Sequence, residues 1–345
     1  MKKIIISAAL FSITTMSVRA QDFHYTHFYQ SPFTLNPALT GVFTGDIRVI
    51  NNYRSQWSSV TKFPYQTETF SVDGGLFRAK MKNDDYFSGG FSFNNDKAGA
   101  SKLTTNLYNG AFSFTKNLSK RITNSITVGF MAGYGMRNVN FSGLSWDNQY
   151  QNGAYDPSLP SGEPSNGGIS KNYMDYSAGL LWNFSASEMV RLKIGAGALH
   201  LNRPDIGFEH TDKLYSKYVV HGLADIKLGK TTNVSMQPAF EVALQGPTTL
   251  INIGTNFKYV LQDRSKYTGV YNEVAIAFGG WYRVGDAAMF TCRFDYGQFA
   301  LGMSYDANLS DLTVASSGRG GFEFLFIYTG IFKNGTTIKV SKSRI

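Results

Sequence analysis

The sequence predicts an all-β fold, a transmembrane antiparallel β-barrel of about fourteen strands. Three observations carry this expectation. Residues 190–202 read VRLKIGAGALHLN, with Val190, Leu192, Ile194, Ala196 and Ala198 on one parity and Arg191, Lys193, Gly195 and Gly197 on the other. Strand side chains point alternately to opposite faces, so a period of two means strand and not helix. Stretches of this kind run about ten to fourteen residues, whereas soluble strands usually have about five or six and a tilted bilayer crossing needs about ten. They also follow one another through short links such as 185–189, 229–233 and 285–286. A meander that closes on itself leaves no unpaired edge in lipid. Composition agrees: aromatics make up 15% of the chain at a mean hydropathy of -0.19, as alternating lipid-facing strands would produce.

From the N-terminus, residues 1–20 read as an export signal. Lys2 and Lys3 form a basic start, Ile4 to Ile13 an apolar stretch, and Val18-Arg19-Ala20 a small-residue cleavage site that leaves Gln21 as the new terminus. A lipid anchor would need a cysteine at the cut, and none stands there. Residues 21–45 lack alternation and contain SPFTLNPALTG, broken by Pro32, Pro37 and Gly41; this segment is expected to plug a lumen or to lie under the barrel. The barrel is expected over 46–333, with strands at 46–56, 65–75, 86–95, 103–115, 124–138, 172–186, 190–202, 217–229, 233–244, 248–260, 271–284, 287–296, 298–308 and 320–333. Residues 334–345 form a basic tail. An even strand number returns both barrel ends to the periplasmic side. The two long polar connections, 139–171 and 203–216, then fall on the outer side, where barrels carry their larger loops. Pro238 inside a strand predicts a bulge or a kink.

The parity that would face the lumen carries Arg191, Lys193, Asp225, Lys227, Glu241, Lys258 and Arg293. A channel for apolar solutes would call for an apolar pocket there instead. Removing Lys2, Lys3 and Arg19 with the signal takes 33 basic residues to 30 against 24 acidic, a net charge of +6. These charges are scattered and form no nucleic-acid motif. A mild positive charge suits anionic lipid heads or an acidic partner. Cys292 is the single cysteine and cannot close an internal disulfide; it shares its parity with Phe290 and Phe294, as a small residue on an apolar wall.

Catalytic and metal chemistry is not expected. The chain has no GxSxG elbow, no HExxH and no CxxC. His24 and His27 have no cysteine or acidic cluster beside them. His221, Asp225 and Ser235 read as lumen polar residues and not as a triad, and Gly318-Arg319-Gly320-Gly321 lacks the Lys-Ser/Thr of a phosphate loop. No cofactor is implied.

The order of motifs resembles the PorP/SprF family of type IX secretion system membrane proteins. The resemblance rests on the aromatic start QDFHYTHFYQ, the Leu35-Asn36-Pro37-Ala38 block, Gly41, and Tyr53-Arg54-Ser55-Gln56-Trp57. It continues through ALHLNRPDIGF at 198–208, FGGWYRVGDA at 278–287, FALGMSYDANLSDL at 299–312 and ASSGRGGFEFLFIYTG at 315–330. The resemblance implies an integral outer-membrane barrel of Bacteroidota, similar to the fatty-acid-channel fold, with no enzymatic activity. It implies a role as partner of the secretion system, one that binds the type B C-terminal domain of a cognate secreted adhesin and helps its release from the translocon and its surface retention. A structural part attached to the periplasmic ring of the secretion and gliding machinery is the alternative, and an apolar-solute channel the second. Expected partners are that adhesin, the translocon with or without ring proteins, and outer-membrane lipid, but no nucleic acid. Aromatic and arginine side chains dominate interface energetics, which points to Trp146, Tyr150, Tyr155 and Arg203 on the outer loops as candidate anchors. Among the family-motif positions, Leu35, Asn36, Pro37 and Ala38 read as a turn block, while Arg54, Gln56 and Trp57 close the first strand, with Trp57 as a membrane-interface anchor.

Overall fold

A computed structural model of the chain describes residues 22–331, apart from 59, 77–80, 82–83, 120–123, 142–143, 163–167, 188, 230–231, 264–271 and 311–312. The export signal at 1–20 and the basic tail at 334–345 lie outside the described residues. The strands are β1 (Ile47–Gln56), β2 (Tyr65–Leu76), β3 (Tyr86–Ala98), β4 (Leu103–Asn117), β5 (Asn124–Asn140), β6 (Tyr150–Gln151), β7 (Ala154–Tyr155), β8 (Gly168–Ser187), β9 (Val190–Leu199), β10 (Lys217–Lys227), β11 (Val234–Gln245), β12 (Thr248–Gln262), β13 (Val274–Arg283), β14 (Ala287–Tyr296), β15 (Phe299–Asn308) and β16 (Arg319–Gly330). All but β6 and β7 belong to one closed barrel, fourteen strands in an antiparallel meander. β5 pairs directly with β8, past the small β6–β7 hairpin. Closure is made by β1 on β16, in register from Ile47↔Gly330 to Gln56↔Gly321.

The period-two pattern sorts side chains as expected. Phe130, Leu180, Ile194, Tyr218, Ile253, Phe278, Phe290 and Leu301 are all exposed on the outside. A charge among them at the bilayer midplane would cost about 2–4 kcal/mol, which accounts for the clean outer face. Inward positions are polar and buried, for example Asn52, Thr69, Ser92, Ser113, Asn256 and Ser304. Cys292 is half-buried and shares its parity with the outward Phe290 and Phe294. The 190–202 stretch stops as a strand at Leu199, because His200 takes a positive φ of 55° and turns the chain. At Pro238 the ladder between β10 and β11 is interrupted: pairing runs to Leu223↔Ala239 and resumes at Ile226↔Met236. Proline has no N–H to offer there.

One barrel end, here the upper end, carries the described residues of the segments 57–64, 99–102, 141–167, 200–216, 246–247, 284–286 and 309–318. At the lower end β1 begins and β16 finishes.

The lumen holds the residues that precede β1. Asp22 lies at the upper end, where its backbone N–H donates to Gln245 Oε1. Three short helical turns follow, Phe28–Gln30, Pro32–Leu35 and Pro37–Leu39. The chain then leaves at the lower end, where the Asp46 N–H donates to the Gly330 carbonyl. Proline opens the second and third turns, where its fixed φ suits a first helical position and its missing N–H costs nothing. The main apolar core forms between this segment and the wall. It joins Phe28, Leu35, Ala38, Leu39 and Val42 to Leu181, Val219, Trp281 and Met289.

Candidate functional site

The seat of the Leu-Asn-Pro-Ala block explains the bare parity of β9. Gly129, Gly179 and Gly197 stand in one register row across β5, β8 and β9, and Gly195 lies one inward step from Gly197. A Cβ on Gly179 would overlap Asn36 Oδ1. One on Gly195 would come to 2.7 Å from Asn36 Nδ2, one on Gly197 to 3.0 Å from the Leu35 carbonyl oxygen, and one on Gly129 would strike the Pro37–Ala38 peptide. The glycines form a side-chain-free shelf on which the block lies. Asn36 is fully used: Oδ1 accepts from the Ala38 N–H at 2.9 Å, capping the turn, and Nδ2 donates to the Leu180 carbonyl at 2.9 Å and to His221 Nε2 at 3.0 Å. His221, imagined as part of a triad, is thus a seat for Asn36, and Asp225 pairs instead with Arg191 at 3.6 Å.

Above the shelf the segment is gripped by charge. Arg54 is 2% exposed. Its guanidinium pairs with Asp306 at 2.6 Å and with Glu323 at 3.3 Å, and donates to Thr26 Oγ1 at 2.8 Å. Glu323 accepts the backbone N–H groups of Thr26 at 2.7 Å and His27 at 3.1 Å, and bonds His27 Nδ1 at 3.0 Å. Thr26 Oγ1 donates to Asp306 at 2.6 Å, and Arg283 reaches Asp306 at 3.3 Å. The Gln56 amide, with its oxygen toward Arg54, accepts from Nη2 at 2.7 Å. β1, β15 and β16 therefore meet the N-terminal segment through one neutralised network, which a buried charge requires. Lower down, Asp73 accepts from the Gly41 N–H at 2.7 Å while paired with Arg48, and Lys193 Nζ donates to the Val42 carbonyl at 2.9 Å. Tyr29 stacks on Trp281 at 4.8 Å.

The top of the segment is latched by a second cluster. Asp22 meets His200 Nε2 at 2.8 Å and Lys217 at 3.8 Å, and His200 Nδ1 meets Asp175 at 2.9 Å. Burial disfavours a charged His200, but Asp22 and Asp175 outweigh it and lift its pKa to about 10. Burial likewise works against the Asp22 carboxylate, and His200 with Lys217 reverses it, holding Asp22 below its ordinary range. Above this latch lies a cavity of about 810 Å³ that reaches the upper rim and is floored by Asp22, Phe23, His24 and Phe33. Trp57, read from the sequence as an interface anchor, stands at this rim with φ of 60°, edge-to-face with Tyr65 at 5.0 Å, and lines the cavity.

The 200–216 connection is tied at its base to the wall strands β5 and β8. Lys171 pairs with Asp205 at 2.8 Å, and Arg137 donates to the Ile206 carbonyl at 2.9 Å while lying 5.3 Å over the Phe208 ring. The hydrogen bond from Lys171, then the Asp212 and Gly207 N–H groups, lower the Asp205 pKa to about 2. Of the candidate anchors, Tyr150 and Tyr155 are 56% and 42% exposed. They face each other across β6–β7 with rings 5.5 Å apart. Trp146 is half-buried at the start of the same loop, edge-on to Phe141 at 6.0 Å. Arg203 sits in the other loop at positive φ, 5.5 Å over Tyr215. Sequence reasoning did not single out the glycine shelf, Glu323 or Asp306. The signal was present for the shelf: glycine recurs at inward parity in three strands that pair in one row.

An aromatic exterior and a polar interior on a closed fourteen-stranded barrel suit a lipid bilayer, and the chain is an integral membrane β-barrel. Over residues 17–328 it matches the family described as type IX secretion system membrane protein PorP/SprF, and it belongs to that family. It is an outer-membrane protein of the type IX secretion system. Among the described residues no group of His, Cys, Asp and Glu is placed to hold a metal ion. No curated protein matches the chain. Solved structures similar to it include the toluene transporter TbuX of Ralstonia pickettii, at 10% identity over 86% of this chain and 92% of that one, with a TM-score of 0.46. The CymD monoaromatic hydrocarbon channel is 8% identical over 87% and 93%, at 0.44. BamA from Haemophilus ducreyi is 11% identical over 83% and 70%, at 0.41.

Proposed function

We propose that this protein binds the type B C-terminal domain of a cognate secreted adhesin, helps its release from the translocon and retains it at the surface, with the upper loops as the gripping face. The observation that carries this reading is the exposed Tyr150–Tyr155 pair on its own small hairpin. It stands above a barrel whose lumen is occupied by the chain's own segment. Such a barrel works through its outer surface and not through its bore. Family membership supplies the secretion-system context. The tie of 200–216 to the wall strands by Lys171–Asp205 and Arg137 supports a fixed base for Arg203, next to the connection that carries Trp146, Tyr150 and Tyr155. A rigid platform suits aromatic anchors, because little ordering entropy is lost on binding.

Deleting 145–166 tests this. The barrel is expected to assemble normally, judged by heat-modifiable gel mobility, while one surface adhesin disappears from the cells into the medium. Unchanged display of every secreted protein contradicts the assignment of this loop. A general loss of secretion identifies instead a structural part of the machinery.

A further inference from the structure

Asp22 does more than end the lumen segment, because its contacts reach both feet of the 200–216 connection. His200 opens that connection and meets the carboxylate at 2.8 Å. Lys217, the first residue of β10, follows the connection and lies at 3.8 Å. A further contact runs through Gln245. The Asp22 N–H donates to Gln245 Oε1 at 3.1 Å, and Gln245 Nε2 donates in turn to the Tyr215 carbonyl at 3.3 Å. Arg203 lies 5.5 Å over the Tyr215 ring. The two feet also meet each other, since the Ser216 hydroxyl donates to the His200 carbonyl at 2.9 Å.

The feet cannot keep their places if Asp22 leaves. Lys217 is 6% exposed, and Asp22 is the one carboxylate that meets it among the described residues. A buried charge stripped of its partner is strongly destabilising, so departure of Asp22 drives Lys217 toward water and shifts the start of β10. Gln245 loses the donor to its oxygen in the same step. His200 keeps Asp175 at 2.9 Å but loses the partner of Nε2. The tip of the segment also has room to move. Asp22, Phe23 and His24 floor the upper cavity, and His24 Nε2 has no hydrogen-bond partner among the described residues. The next fixed points lie just beyond the tip, at Tyr25 with Thr69 and at Thr26 with Glu323. Residues 22–24 can therefore lift while the rest of the segment stays docked.

We infer that Asp22 is a positioning residue for the 200–216 connection: the docked tip of the lumen segment, acting through His200, Lys217 and Gln245, holds the connection in its ordered shape. Coupling of this kind is reciprocal, so an occupant that fixes the connection also holds the tip in place. That a secreted partner is such an occupant rests on the function proposed above; the coupling between Asp22 and the connection does not.

The test is limited trypsin digestion of the purified full-length protein in detergent, with fragments read by mass spectrometry and the barrel checked by heat-modifiable mobility. Lys213 is exposed, but the bond after it runs to Leu214, which is 8% exposed and whose N–H donates to the Pro204 carbonyl at 2.9 Å. Cleavage there requires the connection to open. Lys62 and Phe63, exposed in 57–64 at the same barrel end, give a control bond in the same digest. Asp22→Asn keeps the backbone N–H and removes the charge. It is expected to speed cleavage after Lys213 about tenfold, within the usual range of about 5–150-fold for coupled sites, and to leave cleavage after Lys62 at the parent rate. Asp22→Glu, which keeps the charge, should restore most of the protection. In a His200→Gln, Lys217→Met background the added Asp22→Asn should change the rate by less than about twofold, because the groups it acts through are gone. Parent-rate cleavage after Lys213 in Asp22→Asn overturns the inference, as does an equal rise after Lys62 or a tenfold effect that persists in that background. The digest contains no partner, so its failure leaves the test of adhesin display standing, and loss of the adhesin assignment leaves the digest standing.

Discussion

Replacing Gly179 by alanine adds one methyl group to the lumen wall where Asn36 Oδ1 already lies. The neighbour cannot yield cheaply, because Asn36 is fixed on three sides by bonds of 2.9, 2.9 and 3.0 Å. Moving the side chain away forfeits these. At about 1 kcal/mol net for each bond the loss is about 3 kcal/mol. A loss of 1.4 kcal/mol is a factor of ten, so the undocked fraction of the N-terminal segment should rise about 100-fold. The barrel itself should persist, since the Gly129↔Gly179↔Gly197 row keeps its backbone ladder. A reporter separates the two effects. In a Cys292→Ala background, Ser31→Cys places a thiol at a position 4% exposed within the segment. Its reaction with a water-soluble maleimide reports undocking, while heat-modifiable mobility reports the barrel. Gly179→Ala should label about 100-fold faster than the parent. Gly110→Ala, where an added Cβ meets nothing within 4 Å, should label at the parent rate. Equal protection of the thiol in Gly179→Ala and the parent, with the barrel intact, would refute the shelf argument.

Three further outcomes follow from the same contacts. Arg54→Met leaves Asp306 and Glu323 with a lost partner in the lumen, and should lower unfolding stability by about 3–5 kcal/mol, read as the urea midpoint of refolding into detergent. The Asp22–His200 latch is pH-dependent: with His200 lifted from 6.5 to about 10, its contribution is complete below about 6.5 and fades as pH rises through 10. The Ser31→Cys thiol should therefore label faster at pH 10.5 than at pH 8, after correction for thiolate fraction, and His200→Gln should remove that difference. Asp22, held below its ordinary range, contributes above about 3.8 and loses its contribution on acidification. Lys171→Ala breaks a pair that is about one-third exposed on both sides, so thermal stability should change by less than about 1 kcal/mol, whereas proteolysis within 200–216 should quicken.

The wall was legible in the sequence because lipid enforces the signal. Each outward position in Ile194, Tyr218, Phe240 and Ile253 must be apolar, so parity survives strand after strand, and the links fall where the alternation breaks. The filling of the lumen was not legible in the same way. Thr26 meets Glu323 across 297 residues of chain and Asn36 meets His221 across 185, and nothing local in HYTHFYQSPFTLNPALTG announces either contact. The charges on the lumen parity were visible, yet their partners were not, because a backbone N–H group such as that of Gly41 or a carbonyl such as that of Val42 leaves no trace in residue identity. The candidate anchors Tyr150 and Tyr155 stand out in the sequence as aromatics in a polar loop. Their pairing on β6–β7 depends on a two-residue turn at Asn152-Gly153, both at positive φ, a signal present in the sequence as an Asn-Gly step between tyrosines.

The central claim is that this barrel acts as an outer-membrane holder of a secreted protein and not as a conduit. Its most direct test is mild-detergent purification of the tagged protein from its native outer membrane, with mass spectrometry of what is retained. The account predicts one large adhesin held through its C-terminal domain, and its loss when 145–166 is deleted. Recovery of the barrel alone, or of periplasmic proteins without a secreted partner, would contradict it.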